Sequence, residues 1–438
     1  MVQQADLKPW LRPPPKSYRM ANANVVDVEA GTIQQSMDVK VENGKITSIR
    51  PSTSSSSFST VDFTTIDCTG RYLCPGLIDS HVHLTAVPGF GDLSSAFGNP
   101  EAVSLLRQPY VCAQMLGRGF TSVRDCGGAQ AALRDAVADG VFPGPRLFLA
   151  GHALSQSGGH ADFRGPHDRS MCCGGATTGL GRVCNGVPQC MQAVREEIRT
   201  GSDFIKIMGS GGVSSPTDKI EHLQFTGDEI RAMVACADNA GTYVTAHAYT
   251  SRAIRHCVEN GVRGIEHGNF LDAETADLMR EKGGLSDADA DYIPPDGESE
   301  VDRSKNTEVL DAGLKALKIA HNAGVTICFG TDLLGPLGAA QTHEFALRSQ
   351  VLSPIDVLRS ATLNPAKMLG QETSLGQIRE GFEADILILS TNPLEDVTVL
   401  DQPDKHILGV MKEGRIYKSR IKGVEPDAVV PLPITPNL

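Results

Sequence analysis

Residues 73–83 read LCPGLIDSHVH. The apolar pair Leu77-Ile78 leads into Asp79-Ser80-His81-Val82-His83. Two histidines two positions apart on an extended chain point to the same side, so His81 and His83 can meet one metal ion. Alone, an HxH pair is weak evidence, since solvent-exposed or core histidines give the same pattern. Its place at the end of a strand-like run adds weight, because catalytic groups of parallel barrels come from the C-terminal ends of strands.

Further strand-like runs follow at residues 120–125 (FTSVRD), 146–151 (RLFLAG), 203–208 (DFIKIM), 242–247 (TYVTAH), 262–266 (VRGIE) and 325–330 (VTICFG). Helical segments alternate with them, among them residues 227–240 and 251–260. The first has Ile230, Met233, Val234 and Ala237 at helical spacing. Thr226 is its N-cap, and Glu229 three positions on makes a capping box. Repeated strand–helix units imply parallel strands with right-handed crossovers. About eight of them close an α/β fold of the (β/α)8 TIM-like barrel type, expected over residues 75–374.

His247 ends its run, His267 follows the next, and Asp332 follows the last. Three more metal-competent side chains thus fall where a barrel gathers its catalytic groups. Nitrogen and carboxylate donors of this kind suit zinc or a similar divalent ion. Lys206 is flanked by Ile205 and Ile207. Burial lowers a lysine's pKa, and a neutral amine can take up CO2 to become an anionic carbamate able to bridge two metals. The residues leave a second reading open, in which Lys206 pairs with a nearby carboxylate.

The ends read differently. Residues 22–72 are short β-like runs, with a hairpin signal at Asn43-Gly44, and residues 375–420 hold further strands with a tight turn at Glu413-Gly414. The two ends are expected to pair as one small β-sandwich domain, residues 1–74 with 375–438. Residues 51–60 (PSTSSSSFST) read as a loop tip, and the Pro-rich stretch after Lys422 as an extended tail.

Among 438 residues the formal net charge is -12. An acidic chain without a basic cluster is a poor partner for nucleic acid or an anionic membrane. Runs of about 18 apolar residues are absent, so no transmembrane helix is expected. The first residues lack the apolar core of a secretory signal, which leads to an expected cytoplasmic location. The eleven cysteines are then read as reduced thiols. Cys172, Cys173, Cys184 and Cys190 could be argued as a zinc cluster, but they lack paired CxxC spacing and read better as a loop with small buried residues.

With these residues in view, the chain resembles the amidohydrolase superfamily over residues 22–420. LCPGLIDSHVH, Lys206 in its strand, AHAYT around His247, GIEHGN around His267 and FGTD ending at Asp332 carry the resemblance, with LNPAKMLG and GFEADILIL. The combination is similar to the binuclear subtype with a carboxylated lysine. SQSGGHADFRGP and KIMGSGGVSSPTD resemble the branch of Xaa-Pro dipeptidase-like enzymes, zinc carboxypeptidases and the ochratoxin-hydrolysing amidase.

The resemblance implies two divalent ions, zinc by preference. His81 and His83 would hold one and His247 and His267 the other. Carboxylated Lys206 would bridge them, and Asp332 would touch the first ion and move the proton. Asp79 would support the ligands from behind. A small amide or dipeptide is the implied substrate, and a homo-oligomer the implied assembly. His160 would face the substrate in a binding or oxyanion role, or else make a loop-stabilising hydrogen bond. Gly211 and Gly212 would bring backbone N–H groups near a substrate carboxylate. Tyr249 would bond substrate or serve as packing, and Arg124 and Arg164 would anchor a carboxylate or lie at the surface.

One departure stands out. Where the family places a seventh strand, residues 283–306 read GGLSDADADYIPPDGESEVDRSKN, with Tyr292-Ile293 as the strand-like pair. That strand is expected to be missing, shortened or irregular. Two competing functions follow from weaker signals. A deaminase or hydrolase of cyclic amides would not need Lys206. A barrel that has lost activity would explain the altered segment but not the intact ligand set.

Overall fold

The computed structural model describes residues 8, 10, 12–52, 62–90, 101–165, 167–168, 177–213, 215, 217–286 and 300–427, with backbone alone for 300–311. Five strands open the chain: β1 (Tyr18–Asp27), β2 (Thr32–Glu42), β3 (Lys45–Pro51), β4 (Thr64–Asp67) and β5 (Tyr72–Pro75). The β2–β3 connection is two residues, Asn43 at φ 51° and Gly44 at φ 82°. Paired positive φ values are those of a type I′ hairpin turn, which explains the Asn-Gly sequence.

The barrel strands come next. They are β6 (Leu77–Val82), β7 (Phe120–Asp125), β8 (Arg146–Leu149), β9 (Ala153–Ser155), β10 (Thr177–Thr178), β11 (Gly181–Val183), β12 (Ile205–Met208), β13 (Val244–Thr250), β14 (Gly264–Phe270), β15 (Leu285–Ser286) and β16 (Thr326–Ile327). Strands β6, β7 and β8 pair parallel in order, as do β9, β12, β13, β14, β15 and β16. Between the two groups Asp203 N–H donates to Leu149 O at 2.7 Å on one side. Ser80 N–H to Phe329 O at 2.7 Å and Asp332 N–H to His81 O at 2.9 Å join the other. The short hairpin β10–β11 adds to β9. This is a TIM-barrel-type α/β fold, with β8 and β9 together supplying its third stave.

The seventh stave is β15, two residues long and hydrogen-bonded on both sides, to Gly264-Ile265 and to Thr326-Ile327. It is shortened, and it falls at Leu285-Ser286 rather than at Tyr292-Ile293, which lies outside the described residues. Burial selects it: Leu285 and Ser286 are both buried between their neighbours.

Strands β17 (Ile386–Leu389), β18 (Ile407–Lys412) and β19 (Arg415–Ser419) close the chain. They join the opening strands in one hydrogen-bonded sheet, ordered β19-β18-β17-β5-β1-β2-β3, with β4 on β1. The strands of the two ends thus meet, as expected, beside a core of their own. That core includes Met20, Val39, Val41, Ile46, Ile386, Ile388 and Met411. The two hairpin tips meet, with Gly44 against the Glu413-Gly414 turn. The loop expected at 51–60, apart from Pro51 and Ser52, and the tail from 428 lie outside the described residues.

Helices cover the barrel. In Gly227–Asn239 the residues Ile230, Met233 and Ala237 are buried, while Thr226 accepts from Glu229 N–H and Glu229 from Thr226 N–H in a capping box. The barrel core runs from these residues through Ile205, Ile207, Val244, Ala246 and Ile265. The described cysteines Cys184 and Cys190 are buried free thiols, and Cys172 and Cys173 lie outside the described residues.

Candidate active site

Six strand ends converge on one pocket. His81, His83, His160, Lys206, His247, His267 and Asp332 line it, together with Phe163, Leu180, Met208 and Leu334. The ring centroids of His81 lie 5.3 Å from His83 and 5.1 Å from His267, and those of His247 and His267 lie 4.5 Å apart. Asp332 Oδ1 is 3.2 Å from His83 Nε2 and 3.6 Å from His81 Nε2. His267 and Asp332 both carry positive φ, 69° and 45°. For non-glycine residues that backbone is strained by about 1–3 kcal/mol, and it persists where surrounding structure dictates it.

Three of the histidine rings are held from behind. His83 Nδ1–H donates to Gly127 O at 3.0 Å, leaving Nε2 for the pocket. His247 Nε2–H donates to Gly211 O at 3.2 Å, leaving Nδ1. His81 Nδ1 lies 3.5 Å from Glu266 Oε2. Such outer partners fix the tautomer and orientation of metal-ligating histidines. Asp79 acts through the backbone: its carboxylate accepts His81 N–H at 3.1 Å, Thr331 Oγ–H at 2.8 Å and Gln341 Nε2–H at 2.8 Å. It therefore ties β6 to the segment that carries Asp332. Asp125, at the end of β7, accepts N–H bonds from Leu84, Gly127 and Ala129, which shapes the loop holding His83.

Lys206 is 1% exposed, and its Nζ has no hydrogen-bond partner among the described residues. A buried ammonium without hydrogen bonds is costly, and Glu266 is a carboxylate that feels its charge. The pairing with a carboxylate read from the sequence is not made by hydrogen bonding. The donor set fits a metal: His81, His267 and Asp332 offer atoms within 4.8 Å of one another. Burial alone would raise the Asp332 carboxyl, but His81, His83 and His267 outweigh it and hold it well below the usual carboxylate range. Burial, followed by His160 and His267, pushes the His247 ring well below its ordinary value.

Arg124 corrects an expectation. It is fully buried beneath the pocket, donating to Ser80 O at 2.8 Å and clamping Glu266 through Nη2–Oε1 at 2.8 Å and Nη1–Oε2 at 3.2 Å. Its guanidinium stacks over Phe204 at 4.2 Å. It cannot reach a substrate. Arg164 grips Asp162 at 2.7 Å at the loop base.

His160 stacks on His247 with centroids 4.2 Å apart, and its Nδ1 meets Ser215 Oγ at 2.8 Å. It thus both lines the pocket and makes a loop hydrogen bond. Burial pushes the ring down to about 4, against the pull of Asp218. Tyr249 is buried, stacked on His267 at 4.8 Å and edge-on to His247 at 5.0 Å. The Gly211 N–H is spent on His222 O at 3.0 Å, so Gly211 serves through its carbonyl. A Cβ at Gly212 would fall 2.2 Å from His160 Cε1, which explains glycine there.

Glu266, Asp125 and the pair Ser215–Asp218 were not singled out by sequence reasoning. Glu266 stood beside His267 in GIEHGN, and a carboxylate inside an apolar run was the available signal. Ser215 and Asp218 had none.

Residues 72–417 match the model of the amidohydrolase family. The chain belongs to the amidohydrolase family. Ochratoxinase from Aspergillus niger is 34% identical over 363 residues, 79% of this chain and 75% of that one. A crystal structure of a prolidase complexed with N-methylphosphonate-L-proline is 38% identical with a TM-score of 0.86, covering 92% of this chain and 100% of that one. A Xaa-Pro dipeptidase with bound methionine in its active site is 28% identical with a TM-score of 0.81, again over 92% and 100%. Amidohydrolases are generally metal-dependent, and this one is a hydrolase acting on amide bonds, with a small-molecule substrate. Among its described residues, no helix is long and apolar enough to cross a membrane.

Proposed function

We propose that this amidohydrolase is a binuclear enzyme that cleaves the amide bond of small N-acyl amino acids or dipeptides. The observation that carries the reading is Lys206. Its buried Nζ has no hydrogen-bond partner among the described residues, and it lines a pocket with five histidines and an aspartate. A neutral Nζ adding to CO2 releases a proton and gives a carbamate, which removes the buried cation and supplies two oxygen donors. In this reading His81, His83 and Asp332 would hold one divalent ion, zinc by chemical preference, and His247 and His267 the other, with carboxylated Lys206 as a ligand the two would share. Bound divalent ions supply Lewis acidity and a water acidified to near-neutral pKa.

The chain's own residues do the rest. Asp332 takes the proton of the attacking water and returns it to the leaving amine. His160 and Tyr249 contact the substrate from the far side of the pocket, with the Gly212 backbone beside them. The ochratoxinase, prolidase and Xaa-Pro dipeptidase relatives support a substrate in which an acyl group joins an amino or imino acid. The same proposal includes the division into an end-built β domain (1–74 with 375–438) and a barrel (75–374), and a homo-oligomeric, cytoplasmic protein.

The test is metal analysis of the purified full chain, followed by a panel of N-acyl amino acids and Xaa-Pro and other dipeptides. Two metal ions per chain and cleavage within the panel are expected. Absence of metal, or metal without amide cleavage anywhere in the panel, overturns the reading.

A further inference from the structure

Beside His160 the chain after β12 is joined to itself by the Ser210–Leu223 bridge, and Gln224 N–H donates to Gly209 O at 3.0 Å. Among the described residues here, a closed ring of hydrogen bonds surrounds His160. Ser215 Oγ–H donates to Asp218 Oδ1. Gln224 Nε2–H donates to Asp218 Oδ2 at 2.7 Å, and the His160 backbone N–H donates to Gln224 Oε1 at 2.9 Å. His160 Nδ1 meets Ser215 Oγ at 2.8 Å. Ser215, Asp218 and Gln224 are all buried.

The direction of these bonds fixes a proton. Ser215 spends its one hydroxyl hydrogen on Asp218. Its oxygen is then an acceptor, and the bond to His160 requires a hydrogen on Nδ1. This holds whether the ring is neutral or charged. Gln224 closes the ring by fixing the backbone of the same histidine and orienting the second oxygen of Asp218. The ring also stacks on His247 and presses on Gly212, so it has little freedom to turn.

We infer that Ser215 and Asp218 are positioning residues that lock His160 in its Nδ1–H form, making Nε2 the one ring nitrogen that meets the substrate. The inference rests on the proposed reading of the pocket as an amide-hydrolase site. Its consequence is a ring held in one orientation, with Nδ1 turned to Ser215 and Nε2 left for the substrate.

The full chain, labelled with 15N-histidine, tests this by the nitrogen shifts of His160, assigned by their loss in His160→Gln. The parent is expected to have its proton on Nδ1, and Ser215→Ala to shift toward the Nε2–H form. With the best dipeptide of the panel, Ser215→Ala raises KM about tenfold, the lower end for loss of an outer-sphere partner, with bound metal per chain unchanged. Ser215→Thr, which restores the hydroxyl, returns both the nitrogen pattern and KM toward the parent. An Nδ1–H ring that persists in Ser215→Ala overturns the inference, as does an unchanged KM or a loss that tracks loss of metal. The nitrogen shifts need no substrate. A protein that cleaves nothing in the panel therefore defeats the functional reading while the tautomer is still decided.

Discussion

Arg124 and Glu266 face each other beneath the pocket, Nη2 to Oε1 at 2.8 Å, both side chains withdrawn from solvent. The pair links β7 to β14, and through Ser80 O it links both to β6. Glu266 also accepts from Thr245 on β13 and lies 3.5 Å from His81 Nδ1. Four strands are thus fixed from one buried point, directly behind a proposed metal ligand. Burial alone would raise the Glu266 carboxyl, but Arg124, with Lys206 and His81, holds it well below its usual range.

Breaking that pair leaves an uncompensated buried charge. Arg124→Met is expected to destabilise the protein by about 3–5 kcal/mol, read as a lower urea midpoint. Replacing both partners, Arg124→Met with Glu266→Gln, recovers part of the loss, because the remaining charge is removed. A double variant no more stable than the single one would contradict this account.

Removing the lysine removes the bridge. Lys206→Ala should lower metal content per chain and reduce amide cleavage by more than about 100-fold, beyond the loss that an outer-sphere residue brings. Short carboxylic acids added to the buffer should restore part of the activity by filling the vacated space. Full activity in the alanine variant would sink the carbamate.

Gly212→Ala probes the space beside His160. The added Cβ would lie 2.2 Å from the ring, so the ring must move. A displacement near 1 Å at a reacting centre can cost about 100-fold. The variant should lose about that much kcat/KM and about 1–3 kcal/mol of stability by urea unfolding, while metal content stays close to the parent.

Thr226→Ala removes the side-chain half of a capping box far from the chemistry. It should cost about 1 kcal/mol of stability and leave kcat/KM unchanged. Differential unfolding in urea beside a steady-state assay separates the two.

The pH dependence of stability has a local source in Glu197. Burial would raise its carboxyl, but bonds from His152 and Arg182 bring it below its ordinary value of 4.5. A depressed carboxylate adds stability that is present above the unfolded value and is lost as pH falls through the folded one. The advantage of the parent over Glu197→Gln should therefore be full near pH 6 and shrink below about 4.5. Urea midpoints of both proteins between pH 3 and 7 measure it.

Sequence alone determined the alternation of strands and helices, because burial imposes apolar periodicity on local stretches. It also determined the Asn43-Gly44 and Glu413-Gly414 turns, since the I′ conformation demands residues that accept positive φ. It brought His81, His83, Lys206, His247, His267 and Asp332 forward as a set, because a barrel gathers whatever stands at its strand ends. Tertiary structure decided what surrounds them. Arg124 read as a surface anchor and is a buried clamp, because its partner Glu266 lies 142 positions away. The seventh stave is two residues at Leu285-Ser286, too short to carry a periodicity of its own and held by the neighbours on both sides. Ser215 and Asp218 look like ordinary loop polarity until the chain brings His160 against them. Hydrogen bonds between residues far apart in sequence have direction and geometry but leave no pattern in the sequence.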